Sequence, residues 1–176
     1  MQSHSQPWPV APRPFDDEAF GSWLGRVAAR YRIGVDDLVR AAGVEFDLDY
    51  DVSRWLATSA PMERAATRLG HLCRLSPAKL MQMLPVVRIE CTTMAYCYQC
   101  LIMNPLDVTA PYWKAVWLSA DRPACTVHLQ RVGWVTPAAL QGHRNMRQLL
   151  RYVYYRHRRQ DQKRKLSIGP RTSGVR

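Results

Sequence analysis

Four potential metal ligands occur in two short and similar turns. Cys97 and Cys100 are separated by two residues, as are Cys125 and His128, in the overall pattern C-x2-C-x24-C-x2-H. Two intervening residues let both side chains of a pair face one ion, and three thiolates with one imidazole complete a tetrahedral zinc shell. Because such a shell leaves no position for water, the pattern predicts one structural Zn²⁺ ion rather than a catalytic one.

The segment around these ligands, residues 86–135, lacks a helical period. β-branched and aromatic residues alternate there with polar ones, and prolines interrupt the run, which is typical of short strands and loops. We call it the zinc knuckle and expect zinc to supply much of its folding free energy, ~10 kcal/mol or more in isolated fingers. The side chains expected to pack against it, with stacking on bases as the alternative, are Tyr112, Trp113, Val116 and Trp117.

Two further cysteines and a histidine lie outside the pattern. Cys91 comes six residues before the first ligand, too far for the same turn, and is interpreted as a spare thiol. Cys73 and His71 fall among apolar residues of a predicted helix. We expect both to be buried structural side chains rather than ligands.

The N-terminal part begins with a proline-rich extended leader over residues 1–15, in which Trp8 either packs on the core or is loose. A helix is then predicted from the acidic caps at 16–18 to a stop at Gly34. Its apolar residues recur at i, i+3, i+4, i+7, i+8 and i+11 between Phe20 and Tyr31, which is one helical stripe.

Three shorter helices are predicted to complete a helical region over residues 16–85. The first covers 36–42 and is closed by Gly43, so that it and the preceding helix form either the start of a helix-turn-helix or a plain αα-hairpin. The others cover 61–73 and 77–84. Their predicted core residues are Met62, Ala65, Ala66, Leu69, Leu72, Leu80, Met81 and Leu84. The fold class is therefore mainly α, with a helix-turn-helix-like region and a small β/loop knuckle.

Positive charge is concentrated at the C-terminal end. Residues 1–140 contain 14 basic and 13 acidic residues, a balance of +1, whereas residues 141–176 contain 11 basic residues and one acid, a balance of +10. A basic helix is predicted over 136–160, opened by Thr136 and Pro137, followed by a disordered basic tail over 161–176.

A basic helix with interleaved tyrosines is typical of contacts to nucleic-acid phosphates. A solvated charged face and an anionic membrane surface are the alternatives. The candidate DNA-binding residues are Arg144, Arg147, Arg151, Arg156, Arg158, Arg159, Lys163, Arg164 and Lys165.

Other features of the sequence limit the class of protein. No apolar run is long enough to span a bilayer, no secretory leader is recognisable, and the five cysteines suit a reducing compartment. We therefore expect a cytoplasmic, nucleoid-associated bacterial protein without membrane contact. No histidine has a glutamate two residues later, and H-E-x-x-H is absent, so the signatures of zinc deaminases and zinc proteases are missing. An enzyme is not expected.

Taken together, these residues resemble the TniQ family, the transposon accessory proteins that include TnsD-type target selectors. Glu18 to Arg26, preceded by Pro12-Arg-Pro14, is similar to the family's opening helix, and the order of the Cys pair, a Trp-containing segment and Cys-x2-His is similar as well. The resemblance covers about residues 10–135. It departs from the family where Leu129 replaces the usual Gly after the His, and where a basic helix replaces a second Cys-x2-Cys knuckle.

The resemblance implies an adaptor that helps to choose the insertion site in DNA transposition. Its partners would be target DNA or a guide complex, an AAA-type ATPase and a transposase. Glu18 and Arg26, two helical turns apart, would make structural polar contacts. The alternative is a zinc-bearing regulatory or protein-interaction module without a role in transposition.

Overall fold

The computed structural model describes residues 6–44, 52–58, 63–83, 93–103, 110–118 and 124–167. These residues confirm a mainly helical fold. The α-helices are α1 (Phe20–Tyr31), α2 (Val35–Ala42), α3 (Glu63–Cys73), α4 (Pro77–Gln82), α5 (Pro137–Gly142) and α6 (Met146–Ser167). Strands β1 (Met94–Tyr96) and β2 (Gly133–Val135) pair antiparallel, and the shorter helical turns are 3-10 helices at Val52–Ala57 and Ala115–Leu118 and a π-helix at Gln99–Met103.

Helix α1 buries the predicted apolar stripe, but its ends differ from the prediction. It begins at Phe20 without a side-chain cap, because Ala19 holds the N-cap position and cannot accept a hydrogen bond through its side chain; the Glu18 carboxylate is buried and bonded elsewhere. It ends at Tyr31, where Arg32 adopts a left-handed conformation with φ of 60° and its N–H reaches the carbonyl oxygens of the last turn. Gly34 therefore does not stop α1; it precedes α2.

Helix α2 ends as predicted, at Ala42, with Gly43 in the left-handed region at φ 59°. The leader packs on the core, which decides between the two possibilities for Trp8. The Trp8 backbone N–H donates to the Leu72 carbonyl oxygen at 2.7 Å, and the centroid of the Trp8 ring lies 5.9 Å from that of the Tyr31 ring. Residues 45–51, whose four acidic side chains indicate a solvated loop, lie outside the described residues.

Trp55, in the first 3-10 helix, occupies the centre of the helical region. It lies against α1 at two glycines one turn apart, with its backbone carbonyl at Gly21 and its fully buried ring at Gly25. A Cβ atom at Gly21 would stand 2.3 Å from the Trp55 carbonyl oxygen, and one at Gly25 would stand 2.5 Å from the indole ring. The indole N–H donates to the His143 carbonyl oxygen at 3.1 Å. The two glycines thus allow this tryptophan to join α1 to the C-terminal region.

Helices α3 and α4 bury most of the core predicted for them, including Leu69, Leu72 and Leu80. Two predictions are wrong. The His71 side chain is exposed, and Met81 is 40% exposed, because both lie on the solvent side of their helices. The predicted core residues Met62 and Leu84 lie outside the described part of the chain.

The C-terminal region consists of two helices where one was predicted. Thr136 caps α5 as expected, its hydroxyl accepting from the Ala139 N–H at 3.4 Å. The chain then breaks at 143–145, since the buried Asn145 side chain bonds both to the Ile33 carbonyl oxygen at 2.9 Å and to the Gln148 N–H at 3.2 Å. Helix α6 continues to Ser167, beyond the predicted end near Gln160, so 161–167 is helical. Residues 168–176 of the predicted disordered tail lie outside the described residues.

Candidate metal centre and basic helix

The side chains of Cys97, Cys100, Cys125 and His128 converge on one point. Their ligand atoms, three Sγ and one imidazole nitrogen, all lie within 4.8 Å of one another. The Cys100 and Cys125 sulfurs are 3.7 Å apart. The His128 Nδ1 atom lies 3.1, 3.5 and 3.8 Å from the sulfurs of Cys100, Cys97 and Cys125.

These separations fit a tetrahedral zinc site. Bond lengths of about 2.3 Å to sulfur and about 2.0 Å to nitrogen put tetrahedral ligands about 3.8 Å (S to S) and about 3.5 Å (S to N) apart. The chemistry of the donors fits as well, because three thiolates and an imidazole are a common structural zinc set. The cluster is therefore compatible with a zinc ion bound through His128 Nδ1.

Local backbone hydrogen bonds form the two turns that carry the ligands. The Leu101 N–H donates to the Cys97 carbonyl oxygen at 2.9 Å, and the Leu129 N–H donates to that of Cys125 at 2.8 Å. Leu129, which stands where the TniQ-like pattern has glycine, adopts φ of 49°, in the left-handed region that favours glycine. Its side chain is 84% exposed.

The thiols of the cluster differ in acidity. Burial and the neighbouring Cys125 sulfur raise the pKa of Cys100 to about 12. Burial also acts on Cys125, but hydrogen bonds from the His128 and Val127 backbone N–H groups and from the His128 ring lower its pKa to about 6. Because the thiolate is the form that binds a metal, the hydrogen bonds that Cys125 accepts favour its metal-binding form.

Cys73 takes no part in the cluster and is buried in α3, as predicted. Desolvation raises the pKa of its thiol to about 12, which keeps it neutral and unreactive. Cys91 lies outside the described residues.

The knuckle is fastened to the segment that leads into α1 by backbone pairing that the sequence did not predict. The Ala19 N–H donates to the Trp113 carbonyl oxygen at 2.8 Å, and the Ala115 N–H donates to that of Asp17 at 2.8 Å. The Ser22 hydroxyl accepts from the Trp113 N–H at 2.8 Å. These pairs join segments about 95 residues apart in the chain, and no local pattern could have indicated them.

A buried ion pair lies directly beneath this pairing. The predicted polar contact between Glu18 and Arg26 is present, with the Arg26 guanidinium 2.6 Å from the fully buried carboxylate. Glu18 also accepts from the Ser22 hydroxyl at 2.8 Å and from the Phe15 N–H at 3.2 Å. Burial raises the pKa of Glu18 to about 7, although Arg26 and these hydrogen bonds oppose the rise.

The aromatic residues of the knuckle segment divide into two groups. Trp113 and Trp117 are buried as predicted, and the Trp113 ring lies 5.4 Å from that of Tyr96. Tyr112 is half-buried and stacks on the leader residue Phe15 with ring centroids 4.4 Å apart. Val116 is 37% exposed, so the prediction that it packs against the knuckle is wrong.

The candidate DNA-binding residues do not share one surface. Arg144 forms ion pairs with Asp36 and Asp37 at 2.6 and 2.8 Å, which fasten the start of α2 to the break before α6. Arg156 donates to the Trp134 carbonyl oxygen at 2.5 Å. Arg147, Arg151, Arg158, Arg159, Lys163 and Lys165 are exposed. The side chain of Arg164 lies outside the described part of the molecule.

Helix α6 is held on the body at two places. Its buried residues Met146, Leu149 and Val153 belong to the common core, where α6 packs against α1. Further along, the His157 ring stacks on Tyr98, which stands between the two ligands of the first pair, with centroids 3.6 Å apart. The basic helix therefore contacts the turn that carries the first pair of candidate ligands.

The fold and the cluster define a mainly helical protein with a Cys₃His knuckle that is compatible with zinc. The chain belongs to the TniQ family, whose model matches residues 9–132. This match confirms the resemblance seen in the sequence and supports a transposition-associated role. It includes α1 and all four residues of the cluster, and it ends before β2, α5 and α6.

A comparison with curated proteins finds no match to the chain. None of the helices in the described segments is both long and apolar enough to cross a membrane.

Proposed function

We propose that this protein is a zinc-stabilised DNA-binding adaptor for target-site selection in transposition. It would link target DNA or a guide complex to a transposon AAA-type ATPase and transposase, and so act on the nucleoid in the cytoplasm. The observation that carries the proposal is the family match over residues 9–132, which spans both α1 and the complete Cys₃His cluster.

In this proposal the zinc ion has a structural role. Cys97, Cys100, Cys125 and His128 would fill all four positions of a tetrahedral ion, which leaves none for a substrate or an activated water. The ion would hold together the two ligand-bearing turns, on the first of which Tyr98 stacks against His157 of α6. Its contribution to function is to position surfaces rather than to perform a reaction.

The DNA contact in this proposal belongs to the C-terminal region. Residues 141–176 carry 11 basic residues against one acid, and several of these cations are exposed along α6. Neutralising phosphates with such side chains releases counterions and gives affinity without sequence preference. Selection of a site would then depend on the partner proteins or the guide complex.

The test is recruitment of the ATPase to DNA. Duplex DNA is immobilised on beads, and retention of the transposon ATPase is measured with no adaptor, with the zinc-loaded full chain, and with the Cys100→Ser variant. We expect the full chain to increase retention and the variant, which lacks one ligand, to lose that increase. Insertion sites mapped in cells with and without the protein give the second readout.

An ATPase retained equally in all three reactions, together with unchanged insertion sites, would contradict the adaptor function. The zinc-bearing interaction module without a transposition role would then be the better description. Cys73→Ala serves as the matched control, since it removes a buried thiol that is not part of the cluster.

A further inference from the structure

An open groove of about 680 Å³ runs along the solvent side of α6. Except for His143 from the end of α5, its lining comes from two adjacent rows of side chains, each with a spacing of four residues. The first row consists of Arg151, Tyr155, Arg159 and Lys163. The second consists of Gln148, Tyr152, Arg156 and Gln160. Adjacent i, i+4 rows on a helix leave a furrow between them, and this furrow is the groove.

The charge of the groove is unbalanced. None of its nine described lining residues is acidic. Among the described residues, Arg151, Arg159 and Lys163 have no carboxylate within ion-pairing distance, whereas Arg144 is held by Asp36 and Asp37 outside the groove. With a rise of 1.5 Å per residue, these three cations extend over about 18 Å of helix. A line of unpaired cations of this length attracts a polyanion with regularly spaced charges.

We propose that this groove binds the sugar-phosphate backbone of double-stranded DNA, with Arg151, Arg159 and Lys163 contacting phosphates and the groove's amides and phenols donating hydrogen bonds. The proposal rests on the proposed DNA-binding function and assigns that function to one face of α6. It also places the contact in a helix beyond the end of the family match at residue 132.

The aromatic residues of the groove favour a backbone contact over base stacking. The Tyr152 ring is already engaged with His143, with centroids 4.6 Å apart, and Tyr155 makes an edge contact with Tyr154 at 5.5 Å. Proteins that stack bases of single strands need free aromatic faces along the binding path. Phosphate contacts alone position the duplex and carry no sequence information.

The apolar side of α6 argues against an anionic membrane as the ligand. Helices that lie in a membrane interface insert an exposed apolar face. In α6 that face is covered, since Met146, Leu149 and Val153 are each at most 1% exposed. The groove presents cations and polar groups, which a phosphate backbone satisfies and an acyl layer does not.

The experiment compares two full-length variants with the same change in charge. The groove variant is Arg151→Gln/Arg159→Gln/Lys163→Gln, and the control is Arg147→Gln/Arg158→Gln/Lys165→Gln, three exposed positions of α6 outside the groove. Kd for a random 30-base-pair duplex is measured at several salt concentrations for both variants and the wild type. Zinc content and thermal melting are recorded first, and both should match the wild type because all six positions are exposed.

We expect the slope of log K against log salt to fall by about 3 in the groove variant, close to the loss of three phosphate contacts. In the control variant this slope should fall by less than about 1. Wild-type protein should bind the duplex more tightly than a single strand of the same length, and should bind it in preference to phosphatidylserine vesicles.

Equal losses in the two variants would overturn the groove assignment while leaving DNA binding, and so the proposed function, intact. Tighter binding to single strands or to the vesicles would overturn the duplex as the ligand. If the wild-type chain bound DNA in no form, the DNA-binding part of the proposed function would be contradicted. This outcome is distinct from a failure of the groove assignment, which requires a wild-type chain that binds DNA.

Discussion

Adding one methyl group at Gly21 should destabilise the protein, although the same change normally stabilises a helix. Gly21 lies inside α1, where Gly→Ala by itself is worth about 1 kcal/mol of helix propensity. Its Cβ atom, however, would stand 2.3 Å from the Trp55 carbonyl oxygen and 2.4 Å from that of Leu56. Both atoms belong to the backbone, so neither can rotate away.

The magnitude follows from the movement required. Relief of a contact of 2.3 Å needs a separation of about 1 Å between α1 and the first 3-10 helix, and overpacking of this kind typically costs about 1–3 kcal/mol. The same movement weakens the hydrogen bond from Trp55 to the His143 carbonyl oxygen, which is worth about 1 kcal/mol. After subtraction of the propensity gain, we expect Gly21→Ala to lower the free energy of unfolding by about 2 kcal/mol.

The assay is urea denaturation of the zinc-loaded full chain, followed by circular dichroism and tryptophan fluorescence. The matched control is Gly142→Ala, at the end of α5, where an added Cβ has no heavy atom within 4 Å. We expect the control to be neutral or slightly stabilising, and the midpoint for Gly21→Ala to fall by about 1 M, with m near 2 kcal/mol/M. Equal or higher stability of Gly21→Ala relative to the control would show that the close approach of Trp55 does not constrain this fold.

Three further predictions concern the knuckle and the buried ion pair. Cys100→Ser should abolish the binding of one zinc ion per chain and lower the melting temperature, whereas Cys73→Ala should retain full zinc content. Metal analysis and thermal melting distinguish the two variants, and full zinc content in Cys100→Ser would refute the assigned shell. Leu129→Gly should stabilise the zinc-loaded chain by about 0.5–1 kcal/mol, since a φ of 49° suits glycine. A loss of stability in the same thermal melt would show that the leucine side chain makes a stabilising contact that outweighs the backbone strain. Because burial raises the pKa of Glu18 from 4.5 to about 7, the folded chain holds the Glu18 proton more tightly than the unfolded chain does. The stabilisation that comes from this difference is fully present below pH 4.5 and is lost as the pH rises to about 7. Glu18→Gln should remove that part of the pH dependence in urea melts at pH 5 to 8, and an unchanged profile would contradict it.

The pairing of the candidate metal ligands was the most predictable part of the molecule, because each pair depends on local geometry. Two residues between ligands fix a turn wherever the chain goes, so Cys97 and Cys100, and Cys125 and His128, could be paired from spacing alone. The stripe of α1 was predictable for the same reason, since periodicity reports which face of a helix is buried. The ends of α1 were not, because a buried Glu18 and a left-handed Arg32 replaced the expected caps.

The remaining features depend on contacts between distant parts of the chain. The break before α6 exists because Asn145 bonds to Ile33, 112 residues earlier, and no pattern around Asn145 indicates that partner. The packing of Trp55 against Gly21 and Gly25 was unpredictable for the same reason, since nothing in the sequence around either glycine indicates which residue approaches it. The groove does not follow from the net charge of the C-terminal region, because it depends on which side chains share a row of the helix; the four-residue spacing of Arg151, Tyr155, Arg159 and Lys163 is its signal in the sequence.

The pairing of Trp55 with His143 also has a consequence for synthesis of the chain. The two residues are 88 positions apart, and a ribosome adding about 5–20 residues per second needs about 4–18 s to make the intervening chain. During that time α1 has been made, but the partners of Trp55 and Ile33 have not. The N-terminal helices therefore emerge with their apolar faces uncovered, in the state that chaperones bind. A chain that ends early, anywhere before Asn145, would lose its basic helix and would also leave that earlier surface permanently exposed to aggregation and proteolysis.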